Sequence, residues 1–261
     1  MKKLLIILFL GLSIVSNGQL MIPGVVASSG TANPAASTLL NGLIAGYKLD
    51  DSGSTLVDVL GNANGTGTGL VQEGTTKVLG YSQAFSGAGD KMEVANETYL
   101  LPAGNEFTLS MWFRQNSLPS VNGQYHVLFL LVRGSDPWET MNIYIPPGGQ
   151  PDYIVAYILN QAGTVYETQS NATVGINTWY HFVFTVKNGE NIAMYLNGTL
   201  INNVNTEVFS GTGFLTGTDV ARIGEDLDGY LDEVYVYRRY FPEASVDSLY
   251  NVGSGKTYPF N

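Results

Sequence analysis

The run Trp179-Tyr-His-Phe-Val-Phe-Thr-Val186 alternates bulky side chains at period two and is followed by Lys187-Asn188-Gly189-Glu190 and then by Leu196-Asn197-Gly198-Thr199. Asn-Gly between alternating apolar runs marks a type I′ hairpin, whose two central residues both need positive φ. Such a chain folds its strands back antiparallel on their neighbours. The same period places Phe107, Leu109, Met111 and Phe113 on one face of a strand, and Thr108, Ser110 and Trp112 on the other. In 179–186 both faces carry bulky groups, as in a central strand of a two-layer sandwich.

Runs of this kind, each bounded by Gly, Asn, Asp or Pro, predict thirteen strands: 43–49, 80–86, 91–95, 106–114, 126–133, 140–145, 153–160, 163–169, 179–187, 191–197, 199–204, 220–224 and 229–237. No helical pattern separates them, so the fold class is all-β, a two-sheet antiparallel sandwich. The 31 Gly and 16 Tyr suit short strands joined by tight turns. One short C-terminal helix is expected at 242–250, where Pro242 fits the first turn, Val246, Leu249 and Tyr250 share a face and Gly253 follows as a stop.

Met1-Lys2-Lys3 precedes an apolar run from Leu4 to Val15 and a small polar exit, Ser16-Asn17-Gly18-Gln19. That pattern reads as a signal peptide over 1–19, too short for a membrane span of about 20 residues. The expected location is therefore secreted, periplasmic or cell-surface, with Met21 as an alternative start that would remove the leader. Residues 20–41 read as a flexible linker and 42–261 as the single folded domain. The chain has no Cys, so an exported form gains nothing from disulfides, which suits a bacterial exported protein. Its net charge of −10 opposes nucleic acid and anionic membranes, which require a basic patch.

Several blocks, in order, resemble the laminin G-like jelly rolls of the concanavalin A-like lectin and glucanase superfamily. They are Gly42 to Asp50 with the Gly/Asn turn Asp58 to Thr66, Ala84-Phe85-Ser86-Gly87 with Asp90, and Phe107 to Trp112. Trp179-Tyr-His181 with Tyr195-Leu-Asn197-Gly198 follows, then Ile223-Gly224 through Gly229-Tyr-Leu-Asp232-Glu233-Val-Tyr-Val-Tyr237. The segment from Gln115 to Ser170 resembles the family poorly, and loops there are expected to carry ligand specificity. The resemblance implies a jelly-roll sandwich and one structural calcium ion. It places Asp232, as the closing-strand aspartate, with Asp50 as partner and the Gly87 to Asp90 loop, including Asp90, as a further source of ligands. Oxygen-only ligation is what calcium requires.

The glucanase branch is excluded on residues. Two glutamates flanking an aspartate on one strand would be needed, and neither Glu-x-Asp-x-Glu nor Glu-x-Asp-x-x-Glu occurs. Two His and no Cys leave little material for a triad or a zinc site, and His126 and His181 read as core histidines. Trp112 and Trp179 read as core. Trp138, in Ser135-Asp136-Pro137-Trp138-Glu139, lacks a period that would bury it, and Tyr144, Tyr153 and Tyr157 could extend it into a platform for a sugar ring. The expected function is an exported, non-catalytic binding or adhesion module for glycan, supported by calcium. The alternative is a structural or protein-interaction subunit of a surface assembly or phage virion, whose partner is a surface protein.

Overall fold

The computed structural model describes residues 38–95, 100, 104–132, 139–148, 152–202, 208–211, 213–215 and 220–260. The expected leader and most of the expected linker lie outside these residues. Within them the alternating runs become two antiparallel sheets. The first has the order β14 (Thr199–Leu200), β13 (Ala193–Leu196), β12 (Tyr180–Lys187), β7 (Glu106–Gln115), β16 (Asp228–Tyr237), β5 (Ser82–Ser86), β4 (Val71–Glu73), and β1 (Leu43–Tyr47) also pairs with β16. The second runs β11 (Val165–Thr173), β10 (Tyr153–Leu159), β9 (Glu139–Ile145), β8 (His126–Val132), β15 (Val220–Ile223), β6 (Lys91–Val94), β3 (Gly65–Thr68), β2 (Thr55–Leu56). The chain passes between the sheets several times, as from β5 to β6, β6 to β7, β7 to β8, β11 to β12, β14 to β15 and β15 to β16, which makes a two-layer sandwich.

The core lies where the inner faces meet. Phe107, Leu109, Met111 and Phe113 of β7 and Phe182, Phe184 and Val186 of β12 point into it, opposite Phe129, Ile143, Ala156 and Ile223 of the second sheet. Phe107 packs at 6.2 Å from Phe129 and 6.3 Å from Phe184, close enough for tilted aromatic contact. At the edge, the Gly/Asn turn forms around one carboxylate. Asp58, 1% exposed, accepts hydrogen bonds from the amides of Gly46, Leu60, Asn62 and Ala63.

The outer face of the first sheet is covered. Val183, Ala193, Tyr195, Tyr235 and Tyr237 point outward there and pack with Phe241, Val246, Leu249 and Phe260 into a second apolar cluster. The helix α2 (Glu243–Tyr250) supplies Val246 and Leu249; Pro242 precedes it in extended conformation and Asn251 ends it at φ 49°. Leu39, inside the segment expected as linker, is buried in the same cluster, and Arg239 Nη1 donates to Thr38 O at 2.9 Å. The packed unit thus begins before residue 42.

Three other expectations change. The short strands β2, β3 and β4 went unpredicted. A single-turn helix α1 (Pro119–Asn122) adds to the one expected. Asn197 and Gly198 both take positive φ in a two-residue hairpin, but in the first Asn-Gly pair only Gly189 does, and that turn belongs to a longer loop.

Candidate functional site

Among the described residues no second apolar cluster covers the outer face of the second sheet. Phe129, Leu131, Met141, Ile143, Ala156, Ile158 and Ile223 point into the core, so their alternates point out. Cross-strand pairing aligns those alternates as Glu93, Arg222, Leu130, Asn142, Tyr157, Glu167 in one row and Val127, Tyr144, Val155, Gln169 in the next. Val127, Leu130 and Val155 are at most 8% exposed and form an apolar floor beneath larger side chains.

On that floor stand three tyrosines. Tyr144 meets Tyr125 edge-on at 5.5 Å and Tyr157 edge-on at 6.4 Å. A register shift between Leu131 and Val132 leaves Thr140 as an extra residue and brings Glu139 to this face. Glu139 Oε2 there accepts from the Tyr157 hydroxyl and, at 2.7 Å, from Asn142 Nδ2. Burial, and then the field of Glu167, push Tyr144 up to about 12; burial and the bond to Glu139 hold Tyr157 well above the ordinary tyrosine range. Both hydroxyls therefore stay protonated at neutral pH. Asn142 Oδ1, buried, has no hydrogen-bond partner among the described residues and is a spare acceptor on the face.

Beside them, Arg222 lies between Glu225, at 2.9 Å, and Glu93, at 3.6 Å, while Lys91 reaches the same two carboxylates at 3.8 and 3.7 Å. Pairs this exposed contribute about 1 kcal/mol or less each. Their effect is a polar, charge-balanced border next to an aromatic centre.

Of the residues expected in a platform, Tyr144 and Tyr157 are in contact, and Tyr153, half-buried at the start of β10, points outward on the same strand as Tyr157. Trp138 lies outside the described residues. Tyr125, Glu139, Asn142 and Arg222 were missed. Trp179 differs from its expected core position: it is half-buried, just ahead of β12, with Tyr230 at 6.2 Å. The histidines are buried as expected. His126 contacts Gln115 Oε1 at 2.8 Å and Asn122 Nδ2 at 3.1 Å, and burial lowers it to about 4. His181 contacts Ser110 Oγ at 2.9 Å beneath Trp112 and Tyr250, and burial lowers it to about 3.

The residues expected to hold a cation divide into two places. Asp232 Oδ2 accepts from Thr76 Oγ1 at 3.0 Å and from the amides of Lys77 and Val78 at 2.9 and 3.1 Å, while buried Oδ1 has no partner among the described residues. Burial raises this carboxyl to about 6 despite those donors, and the charge of Asp50 adds to the rise. Asp50 Oδ1 accepts from Tyr81 N at 2.6 Å, and a Cβ on Gly80 (φ +92°) would lie 2.1 Å from that oxygen, so glycine is required there. An unsatisfied carboxylate oxygen with a second carboxylate nearby fits a hard cation. Asp90 belongs elsewhere: its Oδ2 accepts from Ser86 N and Oγ, both at 2.7 Å, at the far end of the β5–β16 pairing. Among the described residues no three His, Cys, Asp or Glu side chains gather as a metal cluster. Carbonyls or water would have to complete a shell around Asp232 and Asp50.

No match emerges among curated protein sequences. Solved structures resemble the chain in fold. The binding domain of botulinum neurotoxin serotype D superposes with a TM-score of 0.65 at 14% identity, over 83% of this chain and 52% of that one. Domain 4 of AbnA, a GH43 extracellular arabinanase from Geobacillus stearothermophilus in complex with arabinotriose, gives 0.57 at 20% identity, over 78% and 96%. Trypanosoma rangeli sialidase gives 0.59 at 13% identity over 80% of this chain and 33% of that one. The chain thus spans about a third of the sialidase and about half of the neurotoxin domain. A laminin G-type family model, described as the concanavalin A-like lectin/glucanases superfamily, matches residues 86–247, more than half of the sequence and all of the strands that frame the tyrosine face. The chain belongs to the concanavalin A-like lectin/glucanases superfamily.

Proposed function

We propose that this chain is an exported, non-catalytic carbohydrate-binding module that takes a glycan on the open face of its second sheet and holds one structural calcium ion at Asp232 and Asp50. The observation that carries this reading is the aromatic centre itself. Tyr125, Tyr144 and Tyr157 stand together over an apolar floor, beside Glu139 and the spare acceptor of Asn142. A sugar presents C–H faces that pack on aromatic rings and hydroxyls that need both donors and acceptors. The arabinanase domain, in complex with arabinotriose, and a botulinum neurotoxin DC binding domain, in complex with SialylT, are glycan-bound relatives in fold and support the reading.

The non-catalytic part rests on the missing carboxylate triplet of the glucanases. It rests also on Glu139, whose Oε2 is already engaged by Tyr157 and Asn142. Export rests on the N-terminal apolar run, and calcium on the unsatisfied oxygen of Asp232. Glycan-array screening of the wild type and a Tyr144→Ala variant is the test. The expected result is a defined set of bound glycans whose affinity drops about tenfold or more in the variant, a loss of roughly 1.4 kcal/mol. Equal binding by the two proteins moves the site away from this face.

A further inference from the structure

A second concavity lies on the opposite sheet. It is a cleft of about 240 Å³ beside β13 and β14, lined among others by Glu190, Asn191, Tyr195, Leu200, Asn202 and Tyr240. Three features define what it can hold. Tyr195, packed in the outer cluster and 6% exposed as a residue, lines the cleft, and its hydroxyl makes no hydrogen bond among the described residues. Glu190 is exposed at the mouth, and its carboxylate has no ion pair or hydrogen bond among the described residues. Among the described residues no lysine or arginine lines the cleft. Asn202, by contrast, is already committed to the backbone of β13, accepting from Met194 N and donating to Ile192 O.

We infer that this cleft is a second binding site, distinct from the tyrosine face, for a protonated primary amine on a small ligand such as an amino sugar or a lysine side chain. An ammonium offers three donors and no acceptor. The cleft offers the complement: the Glu190 carboxylate and the hydroxyl oxygens of Tyr195 and Tyr240. Glu243 and Asp247, on the adjoining helix α2, add negative field at Tyr195. An anion would be repelled. A neutral sugar would meet the rings but leave the carboxylate uncompensated.

The test titrates glucosamine, N-acetylglucosamine and Nα-acetyl-lysine methylamide separately into the full chain, following backbone amide shifts by NMR. Glucosamine is expected to shift residues 190–202 and Tyr240 but not Tyr144 or Tyr157, with N-acetylglucosamine at least about tenfold weaker. Glu190→Gln, a change at an exposed position, is expected to weaken glucosamine by a similar factor while leaving the melting temperature in place. Binding of the lysine derivative alone retains the amine site and assigns it to a protein side chain. Equal binding of the two sugars overturns the inference in favour of a neutral-sugar subsite. No shift with any of the three probes overturns it as well. Neither result bears on the Tyr144→Ala comparison, which reads the other sheet.

Discussion

His126 gives the chain an acid-sensitive point whose size follows from its surroundings. Asn122 Oδ1 accepts from Gln124 N at 3.0 Å, which turns Asn122 Nδ2 toward His126 Nε2. His126 Nε2 must then accept, and Nδ1 carries the proton that is donated to Gln115 Oε1. A second proton would set N–H against N–H in a fully buried site. Burial accordingly lowers the group from 6.5 to about 4, against the opposing pull of Asp228, Asp152 and Asp226. A lowered histidine pKa means that the unfolded chain binds a proton the folded chain refuses, so stability falls as the pH drops below 6.5. Between pH 6.5 and about 4.5, one proton at about 1.36 kcal/mol per pH unit, less the part the folded imidazole takes up near 4, amounts to about 2.5 kcal/mol. His126→Gln removes the titration and keeps an acceptor for Asn122. It loses the donor to Gln115, at a cost of about 1–3 kcal/mol at neutral pH. Urea unfolding of both proteins at about pH 7 and about pH 4.5 reads the difference, in which the contributions of His181, Asp232 and Glu233 cancel. The variant is expected to be the less stable at neutral pH and to recover about 2.5 kcal/mol relative to wild type on acidification. Stability curves that run parallel across that window refute the assignment of His126 as a buried neutral imidazole.

Calcium in about hundredfold excess over its dissociation constant is expected to raise unfolding free energy by about 2.7 kcal/mol, and chelator to reverse it. Asp232→Ala is expected to abolish that response in thermal melts; a response that survives relocates the ion. Gly229→Ala in β16 is expected to destabilise by at least about 3 kcal/mol or to prevent folding, because the new Cβ would lie 2.0 Å from Arg114 O across the strand pair. A variant that folds with wild-type stability in urea would mean that the β7–β16 pairing opens more easily than its register implies.

The long inner strands were legible because their residues report one environment at a time. β7 and β12 alternate cleanly, and Asn197-Gly198 leaves one economical turn. The strands β2, β3 and β4 were not legible: Thr-Leu, Gly-Thr-Gly-Thr and Val-Gln-Glu carry no apolar period, and they become strands through pairing, β3 with β6, β2 with β3 and β4 with β5. The same contrast divides the tyrosine face. Tyr144 and Tyr157 sit at outward positions of alternating runs and could be read from the sequence. Glu139 shares parity with the core residues Met141 and Ile143, and only the extra residue at Thr140 turns it outward. Tyr125 precedes its strand, while Arg222 and Glu93 reach the face through pairings between strands far apart in the chain.

The two sheets differ in how their faces are packed. The first sheet is packed on both sides, by the inner core and by the cluster that α2 and the C-terminal segment complete, so a change at Val183 or Tyr235 disturbs packing whichever way the side chain points. Among the described residues the main apolar cluster of the second sheet lies on its inner face, where Phe129, Ile143, Ala156 and Ile223 sit. The outward rows of β9 and β10 are half-buried or buried, so a change there acts on the floor of Val127, Leu130 and Val155 and on the bonds that Glu139 accepts from Tyr157 and Asn142. The stretch from Gln115 to Ser170, where the sequence resembles the family least, is the one that builds the tyrosine face.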